Sequence, residues 1–233
     1  TPVTRATIAY NYEENKSLGF YAQEQMGDND RLFVTAAVRF DDNSAFGSNF
    51  DPLLYPKFSG TWVLSEEQFW PLDFVNEFRV RGAWGKAGRQ PNTLAGVNTF
   101  AAIAGPGGTS ALDPSTTGNP DVGPEKSTEL ELGFDASLFE GRISSEFSWY
   151  KRRNADNLLA ISLPTSVGAS GNVQKNVGVI DNWGWEASVD IAAYEGQNVR
   201  LDLGLTGAYK MNEITDIGNL DRKSTRELQS LAY

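Results

Sequence analysis

Apolar residues recur at every second position in a series of segments, and the connectors between these segments alternate between short and long. A period of two is the repeat of an extended strand, whose successive side chains point to opposite faces. The pattern therefore restricts the chain to β-structure with two chemically different sides. The clearest pair of segments spans residues 128–137 and 143–151. In the first, Thr128, Leu130, Leu132, Phe134 and Ala136 alternate with Glu129, Glu131, Gly133, Asp135 and Ser137. In the second, Ile143, Phe147 and Trp149 oppose Ser144, Glu146 and Ser148. The connector Leu138-Phe139-Glu140-Gly141-Arg142 places a glycine where a tight turn needs positive φ, which predicts an antiparallel hairpin. A parallel pairing would need a far longer crossover.

The same alternation runs through residues 18–40. Leu18, Phe20, Ala22, Leu32, Val34, Ala36, Val38 and Phe40 share one face around the polar turn Gly27-Asp28-Asn29-Asp30, and Gln23, Gln25, Thr35 and Arg39 occupy the other. It returns where Trp185, Ala187, Val189 and Ile191 alternate with Glu186, Ser188 and Asp190. Beyond the turn Tyr194-Glu195-Gly196-Gln197-Asn198, Leu201, Leu203, Leu205 and Tyr209 alternate with Asp202, Thr206 and Lys210. Fainter versions lie at 6–12, at 57–64 (Phe58, Trp62 and Leu64 on one face) and at 78–86 (Phe78, Val80 and Trp84 against Arg79 and Arg81). These make about nine strands, each near the ~9–11 residues a tilted strand needs to cross a bilayer.

The long connectors at 41–55, 87–126 and 152–179 are rich in Gly, Pro, Asn, Ser and Thr, and they alternate with short turns at 27–30, 138–142 and 194–198. The connector around 65–77 is the exception in length, because Ser65-Glu66-Glu67-Gln68-Phe69-Trp70-Pro71 reads as a capped helical turn ended by proline. Short connectors on one side and long ones on the other are how a membrane-spanning β-barrel is written, with lipid against one face and a polar lumen against the other. The expected fold is therefore all-β, an antiparallel up-and-down meander of a transmembrane β-barrel. Connectors longer than ~12–15 residues tend to carry ligand or partner contacts, so function is expected there.

Composition removes most catalytic chemistry. The chain of 233 residues has no His and no Cys, which excludes Ser-His-Asp triads, histidine metal sites, thiolate nucleophiles and zinc knuckles. A net charge of -10 opposes a nucleic-acid surface, which needs a basic patch. No apolar run approaches the ~18 residues of a helical membrane span. Aromatic residues make up 12% of the chain, and Tyr10, Tyr12, Trp62, Trp149, Tyr150 and Tyr209 lie near strand ends, where interfacial girdles would use them. Thr1-Pro2-Val3-Thr4 shows no initiator Met, basic n-region or apolar h-region, as expected of a mature or fragmentary chain.

The remaining motifs have plain readings. Glu129 and Glu131 could act as an acid and base pair, but polar groups on one strand face are the default lining of a wet lumen. Gly105-Pro106-Gly107-Gly108 lacks the Lys-Ser/Thr and the strand-to-helix context of a phosphate loop, so it reads as a flexible loop. Asp28-Asn29-Asp30 and Asp41-Asp42-Asn43 resemble pieces of calcium loops, yet a full site needs about six oxygen ligands including a bidentate Glu. Turn chemistry accounts for both. Asn15-Lys16-Ser17 fits the glycosylation pattern, which carries no meaning if the source is bacterial.

Several stretches resemble the barrel of TonB-dependent outer-membrane receptors, most closely the SusC/RagA-like branch. They are Leu18-Gly19-Phe20-Tyr21-Ala22-Gln23, Asp30-Arg31-Leu32-Phe33-Val34-Thr35-Ala36-Ala37-Val38-Arg39-Phe40-Asp41, Ser44-Ala45-Phe46-Gly47 and Tyr55-Pro56-Lys57-Phe58-Ser59-Gly60-Thr61-Trp62. Arg79-Val80-Arg81-Gly82-Ala83-Trp84-Gly85-Lys86-Ala87-Gly88 follows, then Gly123-Pro124-Glu125-Lys126-Ser127-Thr128-Glu129-Leu130-Glu131-Leu132-Gly133-Phe134-Asp135. Trp149-Tyr150-Lys151-Arg152 and the run from Asn176-Val177-Gly178 to Gly184-Trp185-Glu186 complete the series in order. Asp121-Val122-Gly123 stands where relatives usually carry a Leu-Lys pair.

The resemblance implies a partial receptor barrel domain over residues 1–233, with no plug domain in this stretch, forming part of a large transmembrane β-barrel of about 22 strands. It implies a bacterial outer-membrane location and a role as wall and extracellular loops of a nutrient importer for an oligosaccharide, peptide or chelate. No cofactor, metal or catalytic residue is implied. Its implied partners are outer-membrane lipid, the plug of the same chain, the TonB energy-coupling complex and a SusD-like surface lipoprotein; nucleic acid is not among them. Lumen-facing candidates are Arg39, Arg79, Arg81, Glu129, Glu131, Asp135, Glu186, Asp190 and Asp202. Trp183 is a candidate for ligand stacking, with an interfacial anchor as its other reading. Two rival readings are a small autonomous outer-membrane pore or adhesin barrel and a soluble carbohydrate-binding β-sandwich using Trp183 and Trp185; an enzyme is the remotest.

Overall fold

The computed structural model describes Tyr12 and residues 14–48, 53–163 and 172–218. Eight strands form one sheet: β1 (Ser17–Asp28), β2 (Leu32–Asn43), β3 (Leu53–Val63), β4 (Val75–Arg89), β7 (Glu125–Leu138), β8 (Ile143–Ala155), β11 (Val179–Glu195) and β12 (Arg200–Asp216). They lie in that order, each antiparallel to its neighbours. The meander expected from the hydrophobic alternation is thus the observed architecture. The segment proposed at 6–12 ends at Tyr12, which lies in no strand; its other residues, Tyr10 among them, fall outside the described residues.

Four further strands sit where the sequence suggested only loops. β5 (Thr99–Ala104) pairs with β6 (Ser110–Thr116) inside the connector from β4 to β7, and β9 (Leu158–Ser162) pairs with β10 (Asn172–Asn176) inside the connector from β8 to β11. Gly105–Gly108 is therefore the tip of a hairpin rather than a loose loop, with Gly107 and Gly108 at φ 70° and 77°. The sheet strands also run longer than a bilayer requires. β11 and β12 have 17 residues each against the ~9–11 of a spanning strand, and residues 192–195 of β11 run on past Ile143, the first residue of β8, at the short-turn end.

The short turns are tighter than the sequence suggested. Gly27 and Asp28 complete β1, and the reversal is made at Asn29 and Asp30, whose φ values are 48° and 56°. Asn and Asp tolerate that left-handed conformation better than other residues with a side chain. Ser65 does not cap a helix. A single 3-10 turn, Leu64–Glu66, starts at Val63 without a side-chain cap, and the Ser65 hydroxyl accepts a hydrogen bond from the Phe78 N–H at 2.9 Å.

A single-layer sheet buries little by itself, and its apolar face stands open: Leu205 is 75% exposed. The buried apolar side chains among the described residues include Ala37, Ala45, Ala95, Val122, Pro124 and Val173, and all of these except Ala37 belong to the long-connector side. There three connectors are sewn together. Gly47 N–H donates to the Val122 carbonyl at 2.7 Å and Asn119 N–H to the Ala95 carbonyl at 2.9 Å. The Asn176 side chain donates to the Gly123 carbonyl at 2.7 Å and accepts from the Gly123 N–H at 2.8 Å, pairing with that backbone as another strand would.

Gly47 is required at this junction, since a Cβ there would overlap the Pro120 carbonyl oxygen and come within 2.9 Å of Val122 N. Gly47→Ala is therefore expected to loosen the connectors without unpairing the sheet. Limited proteolysis of the folded full-length protein should then cut within 44–48 or 91–124 at lower protease concentration, with an unchanged far-UV circular dichroism spectrum.

Candidate functional site

The pairing register carries the side-chain alternation from strand to strand. Arg79 stands opposite Asp135, Asp135 opposite Glu146, Glu146 opposite Ser188 and Ser188 opposite Thr206. In the other direction Arg81 stands opposite Thr61, and Tyr55, six residues along the same face of β3, opposite Arg39. All nine charged candidates, Arg39, Arg79, Arg81, Glu129, Glu131, Asp135, Glu186, Asp190 and Asp202, consequently share one face.

On that face β4, β7 and β8 are bound by a transverse network. Asp135 accepts from Arg79 Nε at 3.0 Å and from Arg81. Arg81 then reaches over β7, its Nη2 donating to Glu146 Oε1 at 2.8 Å and to Ser148 Oγ at 2.6 Å. Gly133 opens this route: a Cβ there would lie 3.0 Å from Arg81 Nε and 2.6 Å from the Phe147 carbonyl oxygen. Nearer the long connectors, Arg152 forms a forked pair with Glu129 at 2.8 to 3.0 Å. Forked guanidinium and carboxylate contacts are among the stronger charged hydrogen bonds because both groups are planar and matched. Glu146, Ser148 and Arg152 were not among the lumen-facing candidates named from sequence. The signal that finds them is the hairpin register, which sets Glu146 beside Asp135 and Arg152 beside Glu129.

The opposite face is apolar and aromatic. Phe78, Phe134 and Phe147 form a ladder with ring centroids 5.6 Å apart at each step, and Phe58 stacks on Trp84 at 6.0 Å. Trp183 belongs to this side, between Lys151 and Met211, with its ring 5.5 Å from Tyr209. It is separated from the nine charged residues by the thickness of the sheet. Of the residues proposed for interfacial girdles, Trp62, Trp149 and Tyr209 lie on the apolar face and Tyr150 on the polar one.

At the long-connector end, a cleft of about 590 Å³ is lined by Pro91, Asn92, Thr93, Leu94, Ala95, Thr116, Thr117, Ala160, Asn172 and Gln174. Its polar groups are amides and hydroxyls, with no charged side chain in the lining. The acidic stretches serve local structure. Asp41 binds Arg39 Nε at 2.7 and 2.9 Å, Asp42 accepts from the Asn43 N–H at 2.8 Å, and Asp28 accepts from Asn29 at 3.0 Å. Among the described residues no three Asp or Glu side chains converge as a metal cluster.

A two-faced antiparallel meander, polar on one side and aromatic on the other, with short turns at one end and long tied connectors at the other, defines an outer-membrane barrel wall. Residues 1–229 match the family model described as TonB dependent receptor-like, beta-barrel, and the chain belongs to that family. It is 27% identical over 226 residues to a TonB-dependent receptor of Formosa agariphila, covering 94% of this chain and 22% of that one. It is 25% identical over 197 residues to the TonB-dependent receptor SusC of Bacteroides thetaiotaomicron, covering 80% and 20%. The RagAB peptide transporter structure superposes with a TM-score of 0.79 at 23% identity, over 88% of this chain and 23% of that one. The resemblance to the SusC/RagA-like branch is borne out, and the location is the bacterial outer membrane. The chain spans about a fifth of the length of these curated relatives.

Asp135→Asn removes the charge shared by Arg79 and Arg81 in a site where all three side chains are half-buried or better shielded. A loss of about 1–3 kcal/mol in unfolding free energy is expected from leaving these guanidinium groups short of a partner. Urea titration of the folded full-length protein measures it, and Glu129→Gln, which disturbs the other end of the face, should add independently.

Proposed function

We propose that this chain supplies an arc of the barrel wall and part of the extracellular rim of a longer TonB-dependent importer, and that it has no enzymatic role. The observation that carries this reading is the register that gathers nine charged candidates on one face while the aromatic ladder occupies the other. The charged face is the lumen wall, where Arg39, Arg79, Arg81, Glu129, Glu131, Asp135, Glu186, Asp190 and Asp202 meet water and the plug domain supplied elsewhere in the same polypeptide. Energy for import comes from the TonB complex of the inner membrane, and a surface lipoprotein covers the rim. Trp183, flanked by Lys151 and Tyr209 on the apolar side, serves as an interfacial anchor rather than a ligand-stacking platform.

The cargo is a nutrient recognised at the rim. The cleft between the β4 to β5 connector, the end of β6 and the β9–β10 hairpin favours an uncharged, hydrogen-bonding cargo such as an oligosaccharide or peptide over a charged chelate. Burying a charge there would leave it without a partner, at a cost that amides and hydroxyls only partly offset.

Single-cysteine variants of the full-length protein test the two faces. In outer-membrane vesicles, Glu131→Cys is expected to react with a water-soluble maleimide, and its neighbour Leu132→Cys only with a lipid-soluble one. Equal reactivity of both positions toward both reagents would overturn the wall reading.

A further inference from the structure

The apolar face continues past the paired ends of the strands on the short-turn side. Residues 64–74, between β3 and β4, fold back over it: Phe69 meets Trp62 edge-on at 6.2 Å and Trp70 stacks on Phe78 at 5.4 Å. Both partners belong to the apolar side, and Phe78 begins the ladder through Phe134 to Phe147. Polar ties fix the segment in place. Trp62 Nε1 donates to Glu67 Oε1 at 3.0 Å, and Arg31 donates to the Glu66 carbonyl and to Glu67 Oε2 at 3.3 and 3.4 Å.

The β7 to β8 turn joins the same patch. Phe139 stacks on Phe74 at 5.5 Å and its N–H donates to the Phe74 carbonyl at 2.8 Å. Phe139 and Glu140 have φ values of 54° and 58°, a left-handed conformation that is unfavourable for a bulky residue. Asn76 helps hold it, its side-chain oxygen accepting from the Glu140 N–H at 2.7 Å. The strained turn nevertheless presents a half-exposed aromatic ring. Phe139 is 51% exposed, beside Phe69 at 63%, Leu72 at 40% and Phe74 at 47%.

We propose that residues 64–74 and Phe139 form an anchor seated in the headgroup and acyl boundary of the phospholipid leaflet on the short-turn side, where they set the depth of the wall. The occupant is phospholipid because the rings of Phe69 and Trp70 pack onto lipid-side aromatics, which makes the patch continuous with the apolar band. Left in water, its exposed apolar area would go without the stabilisation that burial in lipid supplies. The inference rests on the barrel-wall reading.

The test uses the full-length protein in phosphatidylethanolamine and phosphatidylglycerol vesicles, with a nitroxide attached in turn at Phe69→Cys, Leu72→Cys, Asn29→Cys and Leu205→Cys. Collision rates are compared for oxygen, which concentrates in lipid, and a water-soluble nickel chelate. The oxygen-to-nickel ratio at 69 and 72 is expected to be several-fold above that at 29, a polar turn on the same side, and to approach that at 205 within the apolar face. Ratios at 69 and 72 equal to that at 29, with 205 still reporting lipid, would overturn the anchor alone and point to a protein partner in the aqueous compartment. A water-like ratio at 205 as well would overturn both the anchor and the wall reading.

Discussion

The in-register antiparallel ladder is the constraint from which everything else in this chain follows. Within a bilayer no water satisfies a backbone N–H or carbonyl, so each strand of a spanning wall must be paired along its length with a neighbour. Because side chains alternate with period two, that pairing also fixes which residues meet lipid. A slip of one residue between β4 and β7 would move Asp135 away from Arg79 and Arg81 and turn it toward the aromatic side. Register and polarity therefore reinforce one another: the ladder orders the faces, and the cost of a charge in lipid holds the ladder in place.

Each face is consolidated by its own chemistry. The apolar side uses stacked rings that gain by contact with one another and with lipid tails. The polar side uses hydrogen bonds that cross strands, and it depends on a missing side chain as much as on those present. Gly133 leaves the space over which Arg81 reaches β8, so three strands share one guanidinium. The small apolar core lies in neither face. It sits among the long connectors, where Val122 is fully buried and Asn176 pairs with the backbone of Gly123. A rim held this way keeps its shape while the wall beneath it remains a single layer.

Much of this was legible in the residues. The hairpin of β7 and β8, the long run through β1 and β2, and the pairing of β11 with β12 follow from alternation, because a strand with one wet and one apolar face leaves period two in its sequence. The fainter β3 and β4 were recoverable for the same reason. The hairpins β5–β6 and β9–β10 were not. Segments such as Asn172–Asn176 carry no two-faced environment, so their composition reads as loop, and only pairing with a partner strand defines them. Ser65 misled because a serine followed by two glutamates looks like a helix cap, whereas here its hydroxyl serves the N–H of Phe78 in the adjacent strand.

Sequence by itself determined the class of fold, the two faces of each strand and the order of short and long connectors, since these depend on local periodicity and on which residues favour turns. It also determined the common side of the charged candidates, given antiparallel neighbours. Tertiary structure decided which charges meet, because Arg81 reaches Glu146 from 65 residues away and only strand order brings them together. It decided that the connectors form a tied rim, and that residues 64–74 fold onto the apolar side. Contacts between distant segments depend on the closing of the sheet, and local periodicity carries no record of them.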